Sequence, residues 1–316
     1  MATRVFYTSD IHGSEKCFKK FLSAGKFYKA KILIMGGDIT GKMIVPVVGT
    51  EQARYELTFL GIKHRLKKEE ELLDFEQRIR DSGYYPFRTS ASEMKELDAD
   101  PEKREQLFLK LMIESVRGWM ELADKKLKDQ DIKCFLNTGN DDRFEIDPII
   151  QDCGVLTMPE GRVLMLDDRH EMISTGFSNP TPWNCPRDIS EDELLKKIEK
   201  MVSEVRDMSN CIFNMHVPPY DTTIDEAPRL DKNLTPIRSG SGELMMESVG
   251  SKAVRIAIEK HQPLVGLHGH IHEGKGKSAI GKTIVLNCGS EYSEGILHGV
   301  ILELENKKMK YQFTTG

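Results

Sequence analysis

Two periods alternate along this chain. Short apolar runs that stop at glycine and polar residues are separated by stretches with apolar residues three and four apart. Residues 4–8 (RVFYT) read as a strand running into Ser9-Asp10-Ile11-His12-Gly13. A helix follows, with Ser14 as N-cap and Phe18, Phe21 and Leu22 on its buried face. Residues 31–35 (KILIM) form a second strand, which ends in Gly36-Gly37-Asp38. Strand, helix and strand in quick succession predict a βαβ unit, hence an α/β fold with a parallel or mixed sheet.

A charged interruption then runs from residue 46 to 130. Residues 54–66 predict a hairpin, and 68–80 a helix with Leu72, Phe75 and Ile79 at helical spacing. Tyr84-Tyr85-Pro86-Phe87 is too proline-marked for a central strand. Asp100-Pro101 starts a helix whose apolar face runs from Phe108 through Val116 and Trp119 to Leu127. The whole block, 46–130, reads as an inserted α/β cap within a core made of 1–45 and 131–316.

The sheet pattern resumes at 133–137 and runs into Thr138-Gly139-Asn140-Asp141-Asp142. Strands near 162–166 and 171–176 precede a capping box, Ser190 to Glu193, that opens a helix to Met208. Residues 211–215 are a strand ending at His216, and 221–250 read as a long loop. Ser251 caps a helix to Lys260, and a strand at 263–267 ends in His268-Gly269-His270-Ile271-His272. Short strands near 277–280, 283–287, 297–304 and 309–313 predict an antiparallel finish.

Composition narrows the function classes. The 316 residues are 39% hydrophobic and 30% charged, enough to build a core and too apolar for a disordered chain. No window approaches the ~18 uninterrupted apolar residues of a membrane helix, so no membrane partner is expected. A net charge of −5 gives no overall pull toward polyanions; nucleic acid is disfavoured as a partner but a local basic groove stays open. The six cysteines contain no C-x-x-C pair, and the first nine residues have no apolar leader core, which together predict a cytoplasmic protein.

Five times a strand ends and metal-capable residues follow it: Asp10 and His12, Asp38, Asn140, His216, then His270 and His272. Loops beyond the carboxyl ends of strands in open α/β sheets line one crevice. D-x-H and H-x-H place two side chains on one side of an extended segment, because the strand period is two. Carboxylate, imidazole and amide oxygens suit Mn, Fe or Zn, and seven ligands suit two divalent ions better than one.

The ordered series D-x-H, G-D, G-N-D, H and G-H-x-H resembles the calcineurin-like metallophosphoesterases. It spans positions 10 to 272 and leaves out the segment 46–130. The resemblance implies a two-sheet β-sandwich flanked by helices. It implies a first metal held by Asp10, His12 and His272, a second held by Asn140, His216 and His270, and Asp38 bridging both. It further implies hydrolysis of a phosphodiester or phosphomonoester by a metal-bridging hydroxide, with a small phosphoester or nucleotide as substrate.

Many members have histidine after the Gly-Asn, where this chain has Asp141. Two adjacent cations depress a carboxyl pKa, which makes Asp141 a poor general acid at this catalytic position. A metal-bound water, His64 from the cap, or an activated leaving group are the alternatives. Arg143 is a candidate for contacting the phosphate. Arg54, Lys63, Arg65 and Arg88 offer further cap charge, and Tyr84 and Tyr85 could stack on a base. Asp142 is expected to orient a ligand histidine, and His268 to pack at its strand end. A nuclease would need a basic track to the site; a scaffold that binds a partner without turnover would have lost ligands.

Overall fold

Alternation in the strand Thr3–Thr8 sets the layers: Val5 and Tyr7 pack to one side and Phe6 to the other. The computed structural model describes residues 2–51 and 54–316. Met1, where the reading of the start begins, and Gln52 and Ala53, within the inserted segment, lie outside the described residues. Thr3–Thr8 is the middle strand of a five-stranded sheet ordered Lys308–Thr315, His298–Glu305, Thr3–Thr8, Ile32–Met35, Lys133–Leu136. Its last three strands are mutually parallel, the first two antiparallel.

A six-stranded sheet is ordered Gly276–Ile280, Thr283–Asn287, Val265–His268, Cys211–Met215, Glu171–Thr175, Val163–Met165. Its four central strands are parallel and its edges antiparallel. The expected antiparallel finish is thus shared: 276–287 joins this sheet and 298–315 the other.

Val5, Tyr7, Ile34, Ile212, Leu267 and Leu286 are among the buried residues that fill the space between the sheets. On the outer face of the first sheet, Phe6, Leu33 and Met35 meet the helices Glu15–Tyr28 and Pro101–Leu127. On the outer face of the second, Ile173 and Phe213 meet Glu191–Val202 and Lys252–His261. The result is the two-sheet sandwich flanked by helices. The helix from the capping box ends at Val202 rather than Met208.

The segment 46–130 is not uniform. Its first part builds a four-stranded sheet, Ile62–Leu66, Tyr55–Phe59, Ile44–Gly49, Tyr85–Ser90, closed by Glu69–Asp81 around Val47, Leu57, Phe59, Leu72, Phe75 and Ile79. Pro86 is tolerated because Tyr85–Ser90 is an edge strand. Pro46 lies in an inner strand, yet the pairing with Tyr55–Phe59 covers only Val48 and Gly49, so its missing N–H breaks no ladder on that side. By contrast, Pro101–Leu127 packs on the sandwich, where Trp119 stacks on Phe18 with ring centroids 4.4 Å apart. Among the described residues no helix is long and apolar enough to cross a membrane.

Candidate metal centre

The five loops meet. Donor atoms of Asp10, His12 and His272 lie within 4.8 Å of one another, as do those of Asp38, His216 and His270. In the first group the Nε2 atoms of His12 and His272 are 3.0 Å apart, and His272 Nε2 is 3.6 Å from Asp10 Oδ1. In the second, His216 Nε2 is 3.4 Å from Asp38 Oδ1. Asp38 faces both groups, because its Oδ2 is 3.6 Å from His12 Nε2. Asn140 donates through Nδ2 to Asp188 Oδ1 at 2.9 Å, which leaves its buried Oδ1 without a partner.

Backbone conformation, rather than strand alternation, produces this convergence. Asp10, His12, Asp38 and His270 have φ of +57°, +37°, +49° and +65°, in the left-handed region that side chains other than glycine seldom adopt. The extended-segment reading of D-x-H and H-x-H is corrected accordingly. Asp10 and His12 do share a group, whereas His270 and His272 split between the two.

Hydrogen bonds hold the turns. Asp10 N donates to Gly37 O, His12 N to Asp38 O, and His270 N to Asp10 Oδ1 at 2.9 Å. Gly139 and Gly269 allow the close approach: a Cβ at either would stand 2.1 Å from a carboxylate oxygen of Asp38 or Asp10.

The donor set attracts positive charge. Burial alone would raise the pKa of Asp10 and Asp38, but the facing histidines outweigh it and hold both carboxyls below their ordinary range. Burial would lower His216, yet Asp38 and Asp10 push it up to about 9. Carboxylates, imidazoles and an orphaned amide oxygen, mostly buried, fit divalent cations of the Mn, Fe or Zn type. His216 agrees with this, since neither ring nitrogen has a hydrogen-bond partner.

Around this core the expectations divide. Asp141 sits beside it, 3.3 Å from Lys42 Nζ and 4.0 Å from His12 Nδ1, with its N–H donating to Asp38 Oδ1. Burial and Asp38 raise its carboxyl, against Lys42. Arg143 lines the same cavity, of about 1360 Å³, and pairs with Glu105. His64 is not among the residues lining that cavity; its ring packs 4.5 Å from Phe75 in the cap core.

The charges offered as phosphate contacts in 54–88 are paired at home. Arg54 and Arg88 meet Glu69, Arg88 also meets Glu76, and Lys63 and Arg65 meet Glu56. Tyr85 is buried and its hydroxyl accepts from Gly41 N; Tyr84 lies edge-on to Phe59.

Asp142 does not hydrogen-bond a histidine. Its buried carboxylate accepts from the N–H groups of Ile39, Thr40 and Gly139 and from the Thr40 hydroxyl, tying the second and third motifs together. Burial, then Asp38, pushes its pKa up to about 6. His268 packs at its strand end with Nδ1 2.8 Å from Met215 O.

Four residues escaped sequence reading. Lys42 follows the second motif without a motif of its own. Tyr292 packs its ring 4.9 Å from that of His12. Asp188 fixes the Asn140 amide, and fully buried Arg187 clamps the third loop through Asp142 O, Arg143 O and Asp147. The only local signal for the last two was the proline-flanked run Pro180–Pro186, which marks an ordered loop without naming its contacts.

No family model matches the chain. The "Uncharacterized protein MJ1162" of Methanocaldococcus jannaschii is 29% identical over 177 residues, covering 55% of this chain and 69% of that one. One solved chain, 17% identical, superposes with a TM-score of 0.56 over 99% of each chain. TT1561 of Thermus thermophilus, 11% identical, does so at 0.53, again over 99% of each. These likenesses concern the fold alone: a two-sheet sandwich flanked by helices, with five motif loops meeting at the strand ends.

Proposed function

We propose that this protein is a two-metal phosphoester hydrolase, acting on a small phosphodiester or phosphomonoester in the cytoplasm. The observation that carries the reading is the meeting of six motif side chains in two groups, together with Asn140 Oδ1 and both nitrogens of His216 buried without hydrogen-bond partners. Such atoms cost stability unless a ligand satisfies them. Asp10, His12 and His272 would hold one divalent ion, Asn140, His216 and His270 the other, and Asp38, which faces both groups, would bridge. When bound, the two ions supply Lewis acidity toward the phosphoryl oxygens and a water of lowered pKa.

The chain's own residues do the rest. The left-handed turns fix the donors before substrate arrives. Lys42 places positive charge beside Asp38 and Asp141, where a phosphate would approach. Asp141 and Lys42 are the groups able to exchange a proton with a leaving oxygen there, and a pH–rate profile unchanged in Asp141→Asn would remove Asp141 from that role. The cytoplasmic location rests on six unpaired thiols, five of them buried.

Elemental analysis after growth with Mn, Fe or Zn, followed by turnover of bis-p-nitrophenyl phosphate, tests the reading. Two ions per chain and hydrolysis are expected, with both impaired in Asp38→Ala. Full occupancy without turnover of any phosphoester would leave a metal-binding scaffold; no occupancy would sink the proposal.

A further inference from the structure

The cavity that opens from the metal ligands has a second, apolar half. Trp183 is 62% exposed, Phe144 49% and Leu234 45%, and all three line the same cavity as Asp38, His270 and His272. Leu230 lines it too. Large apolar side chains left open to water beside a charged centre are best explained by a ligand that covers them.

The Trp183 loop is built in advance. Pro180, Pro182 and Pro186 restrict its backbone. Asp188 anchors it by accepting from Thr181 N at 2.9 Å and Cys185 N at 3.0 Å, while its other oxygen accepts from Asn140. One carboxylate thus fixes both a candidate metal ligand and the loop that presents the indole. Trp183 itself makes no ring or cation contact among the described residues, whereas Phe144 has one face held by Arg187, 4.3 Å from the ring centroid. A rigid aromatic platform loses little entropy when it binds.

Charge sets the other limit. Glu145, Asp231, Glu247 and Glu273 line the cavity, and its two cations, Lys42 and Arg143, already face Asp141 and Glu105. Such a rim repels a chain of phosphates and accepts one phosphoryl group at the metal ligands.

Resting on the two-metal reading above, we propose that the substrate class is a single-phosphate ester with a flat aromatic substituent, the ring seated on Trp183 against Phe144 and Leu234. Trp183 is then the specificity-determining residue and the phosphoryl group lies toward His270 and His272.

Calorimetric titration of the manganese-loaded protein with two stable phosphonates tests this: naphthylmethylphosphonate, and methylphosphonate as the reference. The naphthyl ligand is expected to bind at least about tenfold more tightly, the gain from covering a ring. Trp183→Ala should remove that difference, and Trp183→Phe should keep most of it, which guards against a merely collapsed loop. Equal affinities, no binding of either ligand, or a preference that survives Trp183→Ala would overturn the proposal. So would an oligonucleotide binding more tightly than the naphthyl ligand. The readout is binding, so a protein that shows the preference yet hydrolyses nothing would overturn the catalytic reading and leave this one standing.

Discussion

Asn140 shows how much a single amide orientation decides. Its Nδ2 is committed to Asp188, and its buried Oδ1 is left without a hydrogen-bond partner. Asp188→Ala frees the amide to rotate and removes the anchor of Thr181 and Cys185. Loss of such an orienting partner lowers metal affinity about 10- to 100-fold. Calorimetric metal titration of this variant should show one site weakened to that degree and the site of Asp10, His12 and His272 nearly unchanged; equal weakening of both would refute the assignment. Gly139→Ala tests the same corner sterically. A Cβ there would stand 2.1 Å from Asp38 Oδ1 and 2.3 Å from Asp38 N, so the Asp38 carboxylate must move. The variant should remain folded by circular dichroism and bind fewer than two ions per chain.

The turns that deliver those side chains explain what could be read from the chain and what could not. Each motif was visible because a short apolar run stops at glycine and a polar residue, and the run's length fixes where the strand ends. The left-handed backbone at Asp10, His12, Asp38 and His270 was invisible, since Asp and His, though enriched at positive φ, adopt it in only a small share of their positions. The segment 54–88 is a different case: its charge density looks like phosphate-binding capacity, but arginine and glutamate at sheet and helix spacing neutralise each other locally. Its separate core makes a prediction. Leu72→Ala, at a fully buried site, should cost about 2–5 kcal/mol. Hydrogen exchange should then rise in 44–90 while metal stoichiometry holds; equal loss of protection in the sandwich strands would show the cap to be part of one cooperative unit. Asp167 offers a second test. Its carboxylate accepts from Thr3 Oγ1 and from the N–H groups of Arg169 and His170, linking the two sheets. Burial would raise its pKa, but these bonds outweigh it and hold it below the ordinary 3.8. A depressed carboxyl stabilises the fold above its unfolded pKa and loses that contribution as pH falls through the folded one. Asp167→Ala should therefore cost about 1 kcal/mol at pH 7, the group being partly solvent-screened, and the gap in urea midpoint should narrow below about pH 4.

The chain as a whole crowds three carboxylates, Asp10, Asp38 and Asp141, into one mostly buried volume at the strand ends. The cost of that burial is met in part by His216 and His272, whose pKa values the carboxylates raise against burial, whereas burial holds His12 and His270 below the ordinary imidazole value. Cations bound at the strand ends would take over that task and satisfy Asn140 Oδ1 and His216 as well. Because the donors come from five separate loops, no unfolded segment offers the same set, and binding to the folded state alone raises stability by RT ln(1 + [L]/Kd). At a hundredfold excess over Kd that is about 2.7 kcal/mol, or about 5–11 °C for a domain of 150–250 residues and somewhat less for a larger one. Adding manganese should therefore raise the melting temperature in proportion to the logarithm of its concentration, and a chelator should reverse the shift. His12→Ala leaves the second group complete and should keep part of the shift. Asp38→Ala touches both groups and should abolish most of it. An Asp38→Ala protein that gains as much as the unsubstituted chain would place the cations somewhere other than the strand ends, and the functional reading would have to be abandoned with them.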